Sequence, residues 1–142
     1  MTNLQAQWIV GFTDGEGHFG VSINRHKGMT TGYQVQPEYN VTQHYKDIKL
    51  LYALKDYFGC GVVRKNKGKA DESKVYSYRV RSRDHLNNII FPFFEKHQLK
   101  STKQQTNSRK VKKVLQLMDS NAHLTDEGLQ QIRAIRKIIS LR

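Results

Sequence analysis

Two periodicities divide the chain. From His18 to Arg25, Phe19, Val21 and Ile23 alternate with His18, Gly20, Ser22 and Asn24, the pattern of a strand with one buried and one wet face. Tyr33 to Gln43 alternates again, with Val35, Tyr39 and Val41 on one side and Gln34, Gln36, Glu38, Asn40 and Thr42 on the other. His26, Gly28 and Gly32 lie between the two runs, in a loop or hairpin tip. Pro37 falls on the apolar side and predicts an edge or a bulge, because proline cannot donate to a ladder. Residues 61–66 and 74–82 read as a second strand pair, with Tyr76, Tyr78 and Val80 inward and Arg64, Asn66, Ser77, Arg79 and Arg81 outward. Lys67 to Ser73 forms a polar, charged loop between them.

Helical spacing fills the rest. Thr2 and Gln5 have capping-box spacing, so the first helix is expected to start near residue 3. Leu4, Trp8, Gly11 and Gly15 then follow one face of it. Ile48, Leu51, Leu54 and Phe58 mark a second amphipathic helix, ended by Gly59. A third begins near Asp84 and carries Leu86, Ile89 and Ile90, with Pro92 forcing a kink or break. Ser101 and Gln104 open a fourth, with Val111, Val114, Leu115 and Met118 inward. Thr125 caps a fifth, whose stripe is Leu129, Ile132, Ile135 and Ile139. The expected class is therefore α+β, in the order αββαββα followed by extra helices. Its four-stranded antiparallel sheet is covered by helices on one face. One domain spans 1–142, with a first helix over about 3–15 and a C-terminal helical extension over about 122–142.

The first helix carries a conflict. Gly11 and Gly15 each cost about 1 kcal/mol relative to alanine in a helix interior. Close approach of a second backbone would offset that, which makes Trp8, Gly11, Phe12 and Gly15 candidates for packing against a copy of the same helix. Gly15 and Gly17 also suit a helix end where φ turns positive. Glu16 then lies past the negative end of the helix dipole, the wrong place for an unpaired acid. Were two such helices to meet, two Glu16 carboxylates would repel unless a cation lay between them. Magnesium suits that role, since it binds through one or two carboxylates and completes its shell with water and phosphate oxygens. A plain amphipathic helix stopped by a glycine-rich turn fits the same spacing.

Ile9 to Gly17 (IVGFTDGEG) resembles the LAGLIDADG motif of homing endonucleases, with Glu16 at the metal-binding acidic position. The similarity continues through Val41-Thr42-Gln43 and from Leu99 to Lys103, and so covers most of the chain. The resemblance implies a saddle-shaped sheet and, because the motif occurs once, a homodimer. It implies Glu16 and the Gly15 carbonyl as metal ligands, for magnesium or for manganese or calcium at the same sites. Gln43 ends its strand on the outward face; by the same resemblance it orders water, and Lys103 lies near the scissile phosphate. The family's further basic residue aligns with Asp47, a departure that leaves Lys46 as its stand-in. The implied activity is metal-dependent double-strand cleavage of a long, roughly palindromic DNA site. An intron RNA maturase and a non-catalytic DNA-binding protein are the competing readings on the same scaffold.

Charge supports a polyanionic partner. The chain has 24 Lys and Arg against 12 Asp and Glu, a net +12. On the wet sheet face, Ser22, Asn24, His26, Gln34, Gln36, Glu38, Asn40, Thr42, Arg64, Asn66, Ser77, Arg79 and Arg81 are the candidate DNA contacts, since Arg, Asn and Gln pair with base edges. Lysines and arginines around 64–69, 79–83 and 100–113 would contact phosphates, although a solvated face reads the same. A single cysteine, Cys60, excludes an internal disulfide and a cysteine-based zinc site. The six histidines have no HExxH spacing. Gly15 to Gly20 matches GxGxxG, but lies between a helix and a strand, the reverse of a dinucleotide site. No apolar run reaches membrane-span length and no signal-peptide order opens the chain, so an intracellular protein is expected, in a bacterial cytoplasm or an organelle by analogy.

Overall fold

The alternating runs form the two hairpins of one sheet in the computed structural model, which describes residues 3–67 and 74–139. Helix α1 (Ala6–Glu16) leads into strands β1 (Gly17–Arg25) and β2 (Tyr33–His44). A 3₁₀ turn at Tyr45–Asp47 precedes α2 (Ile48–Phe58), followed by β3 (Val62–Lys65) and β4 (Val75–Val80). Helix α3 is composite, built from Arg83–His85, a π-helical Leu86–Ile90 and Phe91–Lys96. Helices α4 (Thr102–Asp119) and α5 (Asp126–Ile139) complete the chain around a 3₁₀ turn at Ala122–Leu124. The sheet order is β1-β2-β4-β3, with antiparallel neighbours throughout. The expected α+β architecture is the one observed.

Alternation decides which face is covered. Phe19, Val21, Val35, Tyr39, Val41, Tyr78 and Val80 are buried under α1, α2 and α4, together with Leu51, Leu54, Leu86, Ile90, Val111, Val114 and Leu115. Pro37 is buried on the central strand β2, yet β4 pairs with β2 only from Tyr39 to His44. At Pro37 the β4 side of the ladder has already ended, so its missing N–H leaves no gap.

Two expectations about helix ends need correction. The first helix starts at Ala6, and its N-cap Gln5 makes no side-chain capping bond; Thr2 lies outside the described residues. The interruption expected at Pro92 falls in the turn before it. That turn widens, and Phe91 N–H bonds the Leu86 carbonyl five residues back. A π turn is a usual place for a helix to absorb such a disruption. Other ends follow the sequence. Gly59 closes α2 in the left-handed region at φ 71, and Thr125 Oγ1 accepts from Gly128 N–H at 3.0 Å. The side chain of Ile139 and most of the Lys67–Ser73 loop lie outside the described residues.

One core hydrogen bond ties the motif helix to the sheet: Thr13 Oγ1 lies 2.8 Å from the Tyr39 hydroxyl, with both residues fully buried. Thr13→Val leaves that hydroxyl unpaired, at an expected cost of about 1–3 kcal/mol in chemical denaturation. Adding Tyr39→Phe removes the orphan and should recover part of the loss, which a double-mutant cycle measures.

His123 gives the fold a pH dependence. Burial first, and then the Arg83 guanidinium, hold its imidazole below the ordinary histidine value of 6.5. The unfolded chain therefore takes up the proton more readily than the folded one. That contribution to stability is complete above 6.5 and is lost as pH falls through the folded value. Thermal melts from about pH 7 to about pH 5 should show the decline, with a shallower slope in His123→Gln.

Candidate active site

The motif helix ends without a left-handed residue. Gly17 has φ −82 and starts β1 directly, and its N–H bonds the Thr13 carbonyl. Neither Gly15 nor Gly17 has positive φ, contrary to expectation. Space explains Gly17 instead, because a Cβ there would meet Thr13 Cγ2 and its carbonyl oxygen at 2.7 Å. Glu16 is thus the last helical residue. Its carboxylate is exposed and has no ion pair or hydrogen bond among the described residues.

Gly11 and Gly15 are different. A Cβ at either position meets nothing within 4 Å, so among the described residues no element uses the close approach they permit. On the same helix Trp8 is 40% exposed and its ring stacks on Phe12 at 4.6 Å. The result is a glycine and aromatic face open to solvent, with Glu16 at its end.

The start of α4 is fastened to the end of α1. Asp14 accepts from the backbone N–H groups of Lys100 and Ser101 at 2.9 and 3.0 Å, and from Ser101 Oγ at 2.9 Å. Ser101 Oγ in turn accepts from Gln104 N–H, the cap expected from the spacing. Gln104, 1% exposed, donates through Nε2 to the carbonyls of Thr13 at 3.1 Å and Gly17 at 2.6 Å. The turn of α4 that carries the exposed Lys103 is therefore anchored through Gln104 to backbone on both sides of Glu16. The Gln104 clamp was missed from sequence. Its signal was polarity on an apolar stripe, since Gln104 and Asn107 are buried in line with Val111, Val114 and Met118.

Gln43 corrects a further expectation. Its polarity at the strand end predicts the outward sheet face, but alternation and its pairing with Tyr76 set it on the side of Val41, the helix-covered side, where it is half-buried. Gly17 pairs with Val41, so Gln43 stands two residues beyond the point where α1 enters the sheet. Lys46 is exposed in the 3₁₀ turn after β2, and its N–H bonds His44 Nδ1 at 3.3 Å.

The donor set suits a hard cation. Glu16 and the Gly15 carbonyl offer oxygen donors at the electronegative helix end. The described residues hold no group of three His, Cys, Asp or Glu side chains. One chain thus offers a single carboxylate, enough for an ion of the magnesium type only when phosphate, water or a second copy completes the shell.

The opposite sheet face carries a connected polar layer. Glu38 accepts from Arg81 Nε at 2.5 Å and from Asn40 Nδ2 at 2.6 Å. Gln36 Nε2 donates to the carbonyls of Pro37 and Arg81. Asn66 Oδ1 accepts from Ser77 Oγ at 2.7 Å and Arg79 Nη2 at 3.1 Å. Ser22 and Asn24 bond one another on β1, Gln34 is exposed, and His26 lies just past the strand, where its Nδ1 accepts from Gly28 N–H. Ser77 departs from expectation: it is on this face but only 3% exposed, beneath Thr42 and Asn66. A cleft of about 900 Å³ runs beside the layer, lined by Arg64, Lys65, Lys67, Arg79, Arg81 and His85.

Comparison with known proteins gives the same outline. The family model described as LAGLIDADG endonuclease matches residues 9–125. The chain is 35% identical over 130 residues to probable intron-encoded endonuclease 2 of Neurospora crassa, covering 91% of this chain and 28% of that protein. It is 26% identical to the DNA endonuclease I-CeuI of Chlamydomonas moewusii, over 99% of this chain and 62% of that one. The chain thus spans about a quarter of the length of the Neurospora relatives it matches, at 28% and 24%. Among solved structures, the homing endonuclease I-TnaI superposes with a TM-score of 0.88 at 44% identity, covering 99% of this chain and 90% of that one. I-SmaMI bound to an uncleaved DNA target with calcium gives 0.86 at 28% identity, over 94% of this chain and 44% of that one.

Proposed function

The chain belongs to the LAGLIDADG endonuclease family, and on that premise we propose that it is a site-specific DNA endonuclease working as a homodimer with a divalent metal, most simply magnesium. The observation that carries this reading is the unfilled glycine face of α1 ending in an unpaired Glu16. Pairing that face with its copy covers Trp8 and Phe12, uses the space above Gly11 and Gly15, and brings two carboxylates together. A single chain achieves none of these.

Glu16 and the Gly15 carbonyl of each protomer would hold the cation, which when bound supplies Lewis-acid charge at the phosphate oxygens. Gln43, an amide without useful basicity, can orient a water by accepting and donating hydrogen bonds. Lys103 contributes a fixed positive charge where negative charge builds up on the phosphate. Asp14 takes no part in the chemistry and keeps α4, and with it Lys103, in register. The polar sheet face would lie in the major groove, whose width admits a two-stranded ribbon. The basic cleft would follow the phosphates and give a steep salt dependence. Twofold symmetry makes the target a long pseudo-palindrome.

The test is to incubate purified protein with duplex DNA carrying a candidate intron-insertion site. Magnesium-dependent double-strand cleavage, abolished by chelation, is expected. Intact DNA together with faster splicing of the intron RNA would replace the nuclease by a maturase, and binding alone would leave a DNA-binding regulator.

A further inference from the structure

The polar layer on the sheet has a direction that follows from its own hydrogen bonds. A carboxylate only accepts, so the Asn40 atom 2.6 Å from Glu38 is the amide nitrogen and its Oδ1 is left for a ligand. Backbone carbonyls also only accept, so Gln36 turns its nitrogen to Pro37 and Arg81 and keeps its oxygen for a ligand. Arginine only donates, so the Asn66 atom that meets Arg79 Nη2 is oxygen. Ser77 must then give its single proton to that oxygen, and Thr42 must donate to Ser77. Gln36 and Thr42 are left presenting acceptors along β2, and Asn40 an acceptor beside one unused amide N–H. On the β4 side, Arg79, Arg81 and the Asn66 amide nitrogen present donors.

We propose that this face reads a C·G base pair across Asn40 and Arg79, with cytosine beneath β2 and guanine beneath β4; the proposal rests on the DNA-endonuclease reading above. Asn40 and Arg79 are direct cross-strand partners. A ribbon lying along the groove sets such partners side by side across it, at one level of the duplex. In the major groove cytosine offers the N4 amino donor, while guanine offers two acceptors, N7 and O6, which match an arginine fork. Asn40 Oδ1 takes the amino proton and Arg79 takes the guanine. The reversed pair would set donor against donor, the Arg79 guanidinium against the cytosine amino group. An A·T pair offers Arg79 only thymine O4 beside a methyl group. Glu38 and Ser77, whose polar atoms are engaged within the layer, are positioning residues here.

The experiment selects binders from a randomised duplex library with the intact protein, calcium replacing magnesium, and sequences the retained DNA. One position in each half-site should hold C·G, and Asn40→Ala and Arg79→Ala should both relax that same position while leaving the rest of the site. Replacing its guanine with 7-deazaguanine, which lacks the N7 acceptor, should weaken binding by the unaltered protein roughly five- to a hundredfold and leave Arg79→Ala unaffected. The modified base carries the test even where a variant fails to fold. The proposal is overturned if the two variants relax different positions, if another base pair is selected, or if both merely lower affinity for all sequences with a shallower salt slope; cleavage of a selected site would then leave the endonuclease reading standing. No enriched sequence at all would overturn both.

Discussion

Glu16→Gln should abolish DNA cleavage and leave target binding intact. The substitution keeps the side chain's size and helix position and removes its charge. The carboxylate has no partner among the described residues, so the fold loses no contact. What goes is the ligand that would hold a cation against the phosphate. Deleting one preorganised electrostatic partner in an active site costs about 10²–10³ in rate, and losing the charge in both protomers should exceed that. Binding should hold or tighten slightly, because a negative charge is removed from beside a polyanion. Cleavage assays and mobility shifts on the same duplex separate the two effects. Cleavage that persists in Glu16→Gln would place the chemistry elsewhere.

Gly11→Leu should make the protomer more stable and the dimer weaker. In the lone chain a Cβ at Gly11 meets nothing within 4 Å, and exchanging glycine for a strong helix former gains up to about 1 kcal/mol. In the proposed dimer the same leucine would stand between two close backbones. Overpacking costs about 1–3 kcal/mol, so dimer affinity should fall by roughly ten- to a hundredfold. A raised melting temperature accompanied by a lower sedimentation mass is the expected pair of results. Opposite signs are the diagnostic point, because a surface role for Gly11 predicts the first change without the second.

Much of this arrangement was legible in the sequence because it depends on local period. The alternation of Phe19 and Val21, or of Val35 to Val41, fixes which face of each strand is buried whatever its neighbours are. Ser101 and Thr125 cap helices because their side chains reach the chain three residues on, a purely local bond. The misreadings concern non-local geometry. Gln43 was assigned by its polarity, although its odd position sets it with Val41; polar character at a strand end overrode the period. Gly17 looked like a residue needing unusual φ, whereas Thr13 packed against it leaves no room for a Cβ. The π turn before Pro92 depends on which carbonyl Phe91 finds. The Gln104 clamp and the Ser77 relay join residues 91 and 11 positions apart, respectively. Only the register of the folded chain brings them together.

The central claim is that two α1 helices meet along their glycine face, and an engineered disulfide tests it most directly. Gly11→Cys adds a thiol to a chain whose only other cysteine, Cys60, is buried. Two Cα atoms can be bridged only within about 4.4–6.8 Å of one another. Mild oxidation on the target duplex should therefore give a covalent species at twice the 16.5 kDa protomer mass that still binds DNA. A product that remains at 16.5 kDa under the same conditions would contradict the claim.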